Sequence, residues 1–248
     1  MISATGIHVS LGEGAARRGV LHGVDLEIER GEIVGLIGPP EAGKTVLLKT
    51  LAGLVAPAAG RITWDGERVD DTTHRRRADW QQRIGMAFQN DALFDAMSVF
   101  DNVAFPLRRR RLAEEEVTQR VMARLDEVEL ADARDKYPAE ISGGMRKRAG
   151  IARATVIMPQ LGLFDDPIAG LDPVTGANIL SFIVRLTDSL NMASLVISND
   201  LAVLLPICRR VIMMVAGEVV YLGDADGLVA SPRPEVVQFA TGGAEGPL

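Results

Sequence analysis

The stretch "GPPEAGKT", Gly38 to Thr45, ends in a lysine and a hydroxyl and is bounded by glycines. A loop of this kind between a strand and a helix turns backbone N–H groups toward phosphate oxygens at the positive end of the helix dipole. Lys44 can then reach the β and γ phosphates of a nucleotide, and the Thr45 hydroxyl can bind Mg²⁺. The candidate phosphate cradle comprises Gly38, Pro39, Pro40, Glu41, Ala42, Gly43, Lys44, Thr45 and Val46. A structural turn is the competing reading of the same residues. Farther along, "LGLFDDPIAGLDP" ends an apolar run in two carboxylates, Asp165 and Asp166. Asp165 is the natural second holder of a metal at Thr45. A third stretch, "ISGGM", opens a helical pattern with Ser142, Gly143 and Gly144, again a geometry that faces phosphate. It lies too far along the chain to complete the first loop. Two such sites on one chain imply a head-to-tail dimer with nucleotide between the subunits.

The elements that must position these residues are legible in the hydrophobic pattern. "VDLEIERGEIVGLIGPP" alternates and then becomes continuously apolar, as a strand entering a buried sheet does, and "GKTVLLKTLAGLV" has helical spacing. "GRITWDGERV" reads as a hairpin turning at Asp65 and Gly66, and "RIGMAFQN" as a short strand ending in polar residues. From about 91 to 155 the pattern is mostly helical, with acids opening "EEEVTQRVMARLDEVEL" as the helix dipole favours. Strand patterns return at "LGLF", "ASLVIS" and "RRVIMMVAGEVVYLG", with helix-like "VTGANILSFIVRLTDSLN" between the first two. Alternation of strand and helix implies a parallel sheet with crossover connections. The tail, rich in Pro and Gly, reads as extended at its end.

Bulk properties narrow the function classes. A chain of 248 residues buries one large core, or one core with a smaller lobe. Its 47% hydrophobic and 24% charged content is that of a globular protein, and a net charge of -6 offers no general footprint for nucleic acid. The short basic runs "HRRR" (74–77) and "RRRR" (108–111) read as solvated faces rather than phosphate or membrane contacts. A single cysteine, Cys208, excludes an intramolecular disulfide, fits a reducing compartment and reads as a core residue. The first residues lack a signal-peptide pattern. The longest apolar run is broken by Pro206, Arg209, Arg210 and Glu218, so no segment is expected to span a bilayer.

Gln89, at the end of "MAFQ", and "AGLDP" at 169–173 complete a set of motifs that strongly resembles the nucleotide-binding subunit of an ABC transporter, over nearly the whole chain. The resemblance implies an α/β fold: a P-loop NTPase of ABC type, with a mainly parallel sheet core, an antiparallel β subdomain and a helical subdomain at about 91–155. It also implies one nucleotide-binding domain over 1–240 and a tail at 241–248. ATP and Mg²⁺ are the implied ligands. Thr45, Gln89 and Asp165 would serve the metal, Asp166 would orient water, Asn199 would contact the γ-phosphate, and Ser142 to Gly144 would cap it from a second ATPase subunit. "GKTVLLKTLAGL", "DALFDAMSVFDNVAFPLR", Met145 and "PEVVQF" are similar, more narrowly, to the ATPase subunit of Mla/Mce-type lipid transporters. That likeness implies a homodimer on the cytoplasmic face of a bacterial inner membrane, membrane permease subunits, a STAS-domain partner and a periplasmic lipid-binding subunit, with no nucleic acid.

Four positions depart from the family pattern. Asp166 stands where Glu is usual, so the carboxylate retreats by one methylene. Asn199, in "VISND", stands where a histidine is usual. Glu41 replaces a glycine within the phosphate loop, which puts a side chain where positive φ is expected and a negative charge near phosphates. Leu11 holds the place of an adenine-stacking aromatic. Gly162, inside a strand, points the same way. Two readings follow: a motor that hydrolyses ATP slowly, or a nucleotide-gated regulatory subunit that binds ATP with little hydrolysis. A DNA-repair or translation ATPase would need insertions or tandem domains that this length excludes. His8, His22 and His74 read as surface or packing residues.

Overall fold

The computed structural model describes residues 1–12, 14, 18–70, 74–89 and 92–248, without the side chains of 74–76. Glu13 in "VSLGEG", the start of the helical segment at Asp91 and most of the "HRRR" side chains therefore lie outside the described residues.

Six strands form the central sheet: β3 (Ile33–Ile37), β6 (Ile84–Ala87), β7 (Leu161–Asp165), β8 (Ala193–Ile197), β9 (Arg210–Val215) and β10 (Glu218–Gly223). Their spatial order is β10-β9-β3-β8-β7-β6. All neighbours run parallel except the β9–β10 hairpin at one edge. β3, β7 and β8 are buried at every residue, which is why they read as continuous apolar runs rather than alternating ones. Leu36 and Asp165 both pair with Ile197, so β3, β8 and β7 end level with one another. The loops that follow them emerge side by side at the carboxyl edge, where open α/β sheets bind ligands.

A second, antiparallel sheet has the order β2-β1-β4-β5, from β1 (Ile2–Leu11), β2 (Arg18–Ile28), β4 (Ala59–Trp64) and β5 (Glu67–Arg68). Asp65 (φ 47) and Gly66 (φ 84) make the tight turn between β4 and β5, as expected for a hairpin with two positive-φ residues. Ile2, Ala4, Leu21, Val24, Leu26 and Ile62 from this sheet share one core with β3 and with α1 (Lys44–Leu51).

Three helices, α3 (Val99–Arg109), α4 (Glu114–Glu127) and α5 (Gly143–Thr155), close over their own core of Val103, Leu107, Val121, Leu125, Ala149 and Ala152. The buried Asn102 side chain ties the preceding loop to α3: its amide donates to the carbonyls of Phe94, Met97 and Ser98, and its carbonyl accepts from Phe94 N at 2.8 Å. The "RRRR" run is not uniformly solvated. Arg108 pairs with Asp101 at 2.8 Å and Glu114 at 3.1 Å, while half-buried Arg110 donates to the carbonyls of Gln82 and Ile157. α6 (Pro173–Leu190) covers the other face of the sheet with Ile179, Phe182, Ile183 and Leu186. Cys208 packs beside this cluster half-buried, and burial pushes its thiol up to about 12, which leaves it inert as a nucleophile.

One helix goes unforeseen in the sequence, and one expectation is corrected. "PEVVQFAT" in the tail is helical, α9 (Pro234–Thr241), because Pro234 starts it and Gly242 ends it in the left-handed region (φ 67). Beyond it Gln238 holds the chain back, accepting from Leu248 N at 2.8 Å. Gly162 is a packing requirement rather than a weakness, since a Cβ there would lie 2.7 Å from the Phe164 ring and 3.2 Å from Met192. No described helix is long and apolar enough to cross a membrane.

The start of β3 is pinned by a bidentate pair. Arg210 donates to both carboxylate oxygens of Glu32 at 2.6 and 2.7 Å, and Glu29 N adds a third bond at 2.9 Å. Burial pushes the Glu32 carboxyl up, but these hydrogen bonds and the Arg210 charge outweigh it, so it stays below its ordinary value of 4.5. Stability from this group is therefore fully present above pH 4.5 and is lost as acid titrates the carboxyl below it. Glu32→Ala is expected to cost about 3 kcal/mol in urea unfolding at pH 7, with a smaller difference from the parent at pH 3. An equal loss at both pH values would remove the ion pair as its cause.

Candidate functional site

The phosphate loop leaves β3 at Gly38 and enters α1 at Lys44. Gly43, the helix N-cap, has φ 94, and a Cβ there would meet Leu21 at 2.8 Å and the Val20 carbonyl at 3.1 Å. Only glycine fits both demands. Glu41 also has positive φ, 62, without being glycine, so the expected strain is present. Lys44 Nζ donates to the carbonyls of Gly38 at 2.6 Å and Pro39 at 2.8 Å, spanning the loop from within. Burial lowers the Lys44 pKa, against the opposing charges of Asp166 and Asp165.

A cleft of about 590 Å³ opens over this loop, lined by Glu41, Ala42, Gly43, Lys44, Thr45 and Val46 and walled by Arg18, Gly19, Val20, His22 and Ala216. Leu11 is not in that wall. It ends β1 opposite Arg18, 41% exposed, so the face expected of it is supplied by the next strand. His22, read from the sequence as a surface or packing residue, is exposed and also lines this cleft. Its ring lies across Gly19 and Gly217, within 2.6 and 2.8 Å of where their Cβ atoms would be. Gly38 and Pro39 contribute carbonyls to Lys44, and Pro40 is exposed.

Thr45 Oγ1 donates to Asp165 Oδ1 at 3.2 Å, so the two expected metal holders meet between the start of α1 and the end of β7. Burial raises both Asp165 and Asp166. Thr45, Lys49, Lys44 and Lys147 draw Asp165 back, and Lys147 and Lys44 draw back Asp166, which the Asp165 charge pushes further up. Among the described residues no three His, Cys, Asp or Glu side chains cluster as a metal cage. One hydroxyl and one carboxylate instead fit Mg²⁺ as nucleotide sites hold it, with the remaining ligands from phosphates and water. When bound, the ion would neutralise charge on the phosphates. Gln89 does not join this pair through a described side-chain contact. Its side chain is exposed, and its carbonyl accepts from Lys147 Nζ.

Asp166 follows β7 with φ 46, a conformation Asp tolerates better than most residues, and its N–H donates to Ile197 O at 3.0 Å. Asn199 lies two residues beyond the end of β8. Both line a separate cleft of about 240 Å³ with Gly170, Leu171, Asp172 and Ser198. Asp172 caps α6, accepting from Val174 N and Thr175 N. Ser142 caps α5, accepting from Met145 N at 3.2 Å, and is exposed. Gly143 and Gly144 sit against Leu171 and Thr175 rather than in the phosphate-loop cleft. Thus the fold gathers Lys44, Thr45, Asp165 and Asp166 and leaves the Ser142 helix start facing outward.

Lys147 was missed. It is only 9% exposed, on the α5 face it shares with Ile151 and Ala154, and the helical spacing of "GGMRKRAGIARA" would have found it. Glu41 leads to a direct prediction. Glu41→Gly removes a carboxylate from the lining of the phosphate-loop cleft and is expected to tighten ATP binding by about threefold to tenfold at low salt, less at high salt. Titration calorimetry at two ionic strengths checks this, and an unchanged affinity would show that the carboxylate points away from the nucleotide.

The ABC transporter family profile matches residues 21–169 of the chain. The intermembrane phospholipid transport system ATP-binding protein MlaF of Haemophilus influenzae is 38% identical over 93% of this chain and 88% of its own length. The sulfate/thiosulfate import ATP-binding protein CysA of Methylococcus capsulatus is 40% identical over 88% of this chain and 63% of its own. Among solved structures, a dimeric ATP-binding cassette bound to ADP and Pi superimposes with TM-score 0.82 at 27% identity, covering 90% of this chain and 98% of that one. A phosphate loop, a hydroxyl–carboxylate pair and an outward-facing capped helix are what such a cassette needs, and the chain belongs to the ABC transporter family as an ATP-binding ATPase subunit.

Proposed function

We propose that this chain energises the movement of phospholipid or a similar hydrophobic compound between bacterial membranes, working as a homodimer on the cytoplasmic face of the inner membrane. The cargo follows from the likeness to MlaF over 93% of the chain, whereas CysA, at similar identity, carries a different cargo in its name. The observation that carries the dimer is geometric: Ser142, exposed at the start of α5, lies outside the phosphate-loop cleft, so a second copy must supply it. In this reading the domain spans 1–240, and Lys44 and the loop amides hold phosphates. Thr45 and Asp165 serve Mg²⁺ with Gln89, Asp166 orients water, Asn199 contacts the γ-phosphate, and Ser142 to Gly144 cap it from the partner subunit.

An apolar cleft of about 420 Å³ beside β6, lined by Met86, Phe88, Phe94, Phe105, Pro106 and Ile157, suits an apolar segment of a permease. A STAS-domain protein and a periplasmic lipid-binding subunit complete the assembly. Hydrolysis is slow, because Asp166, Asn199 and Glu41 each weaken one part of the site. The test is steady-state ATP hydrolysis and lipid transfer by the complex that copurifies with this chain from membranes, with Lys44→Ala as blank. Turnover above the blank that rises with phospholipid supports the proposal. Turnover indifferent to phospholipid would redirect the cargo, and turnover equal to the blank despite ATP binding would favour a nucleotide-gated regulator.

A further inference from the structure

Lys147 carries a charge into the protein interior at a place where two working parts meet. Its ammonium donates to the carbonyl of Gln89, which lies just beyond β6. Its own helix begins one turn earlier at the Ser142 cap. Burying a lysine is costly unless the ammonium is well bonded, and a charge-assisted bond to a carbonyl meets that need.

The surrounding packing leaves little slack. A Cβ on Gly85 would lie 2.2 Å from the Ala154 carbonyl, so α5 lies directly against β6. Gly85 and Ala154 also line the apolar cleft beside β6, along with Phe88 and Phe94. Displacement of the segment after β6 therefore has a short mechanical route to α5, through backbone contact at Gly85 and through the Lys147 bond.

We propose that Lys147 is a positioning residue of the ATPase reaction: by holding the Gln89 carbonyl from within the helix that Ser142 begins, it makes the loop after β6 and the phosphate-capping motif move as one. The proposal rests on the reading of the chain as a nucleotide-driven motor. A strut of this kind acts after nucleotide has bound, so its loss lowers kcat and spares KM. A hydrogen-bond donor one atom shorter replaces it only in part, without the charge.

The experiment compares the copurified complex carrying Lys147→Met or Lys147→Gln with the parent, each read against the Lys44→Ala blank. Lys147→Met is expected to lower kcat at least tenfold with KM for ATP within twofold of the parent, and Lys147→Gln to recover part of that loss. A Met variant within twofold of the parent in kcat overturns the proposal. So does a folded Gln variant no better than Met, or a loss confined to KM. Amide hydrogen exchange on the unmutated protein covers the case in which the Met variant does not fold. On adding ATP and Mg²⁺, residues 84–89 and 143–155 should gain protection together, and protection of one stretch alone overturns the strut. A parent complex without turnover above the blank defeats the motor reading instead, and the exchange measurement still judges the strut.

Discussion

Asp166→Glu is expected to raise kcat of the transporter complex by about a hundredfold, while Asp166→Asn should lower it by a further hundredfold or more. The first figure follows from reach: restoring one methylene moves the carboxylate by roughly 1 Å toward the water it is proposed to orient, and displacements of that size are worth about two orders of magnitude. The second follows from chemistry, since an amide can neither accept a proton from water nor carry the negative charge that orients it, a contribution of about 10²- to 10⁴-fold. Asp166 sits in the left-handed region, where Glu is less comfortable than Asp, so a small fall in melting temperature should accompany the gain in rate. ATP affinity should change little in either variant, because the water-positioning group acts on the transition state. Single-turnover assays with Asn199→His added in the same background would show whether the γ-phosphate contact is also limiting. A Glu variant with the parent's rate would mean that the shorter side chain was never the constraint.

Lys44→Ala is expected to abolish turnover, by about a thousandfold or more. Phosphoryl transfer is catalysed mainly by positioning and charge, and single preorganised donors at the transferring group carry two to three orders of magnitude. Lys44 has a second role visible in the fold: its ammonium bridges the carbonyls of Gly38 and Pro39, so its loss also releases the loop. ATP binding should weaken too, by about tenfold or more, measurable by calorimetry on the folded variant. Lys44→Arg distinguishes the two roles. It keeps the charge but does not fit a pocket shaped for a compact ammonium, so it should recover little activity. Full activity in Lys44→Arg would show that charge alone suffices.

Much of this was readable without coordinates because the relevant signals are local. The apolar run "IVGLI" followed by "GPPEAGKT" specifies strand, loop and helix with little competition, and Asp65-Gly66 specifies its own turn. The positive φ at Glu41 was foreseeable from the usual glycine. What was not readable depends on neighbours distant in sequence. Leu11 gave way to Arg18, Val20 and His22 because the register of β1 against β2 decides which strand faces the cleft. Lys147 shares the helical spacing of Ile151 and Ala154, but what its ammonium meets depends on the loop after β6, far away in sequence. Gly162 looked like a defect until the Phe164 ring was seen to occupy the missing side chain's space. The tail helix was obscured by surrounding Pro and Gly, which here delimit it rather than dissolve it.

The three unusual residues of the site, Glu41, Asp166 and Asn199, all lie in loops beyond the level ends of β3, β7 and β8, whose own residues are buried throughout. On the proposed reading, the scaffold and the groups that set the rate are physically separate modules. An engineer or a lineage can gear the motor down or up at that rim, one loop residue at a time, while the sheet that keeps the protein folded is left untouched.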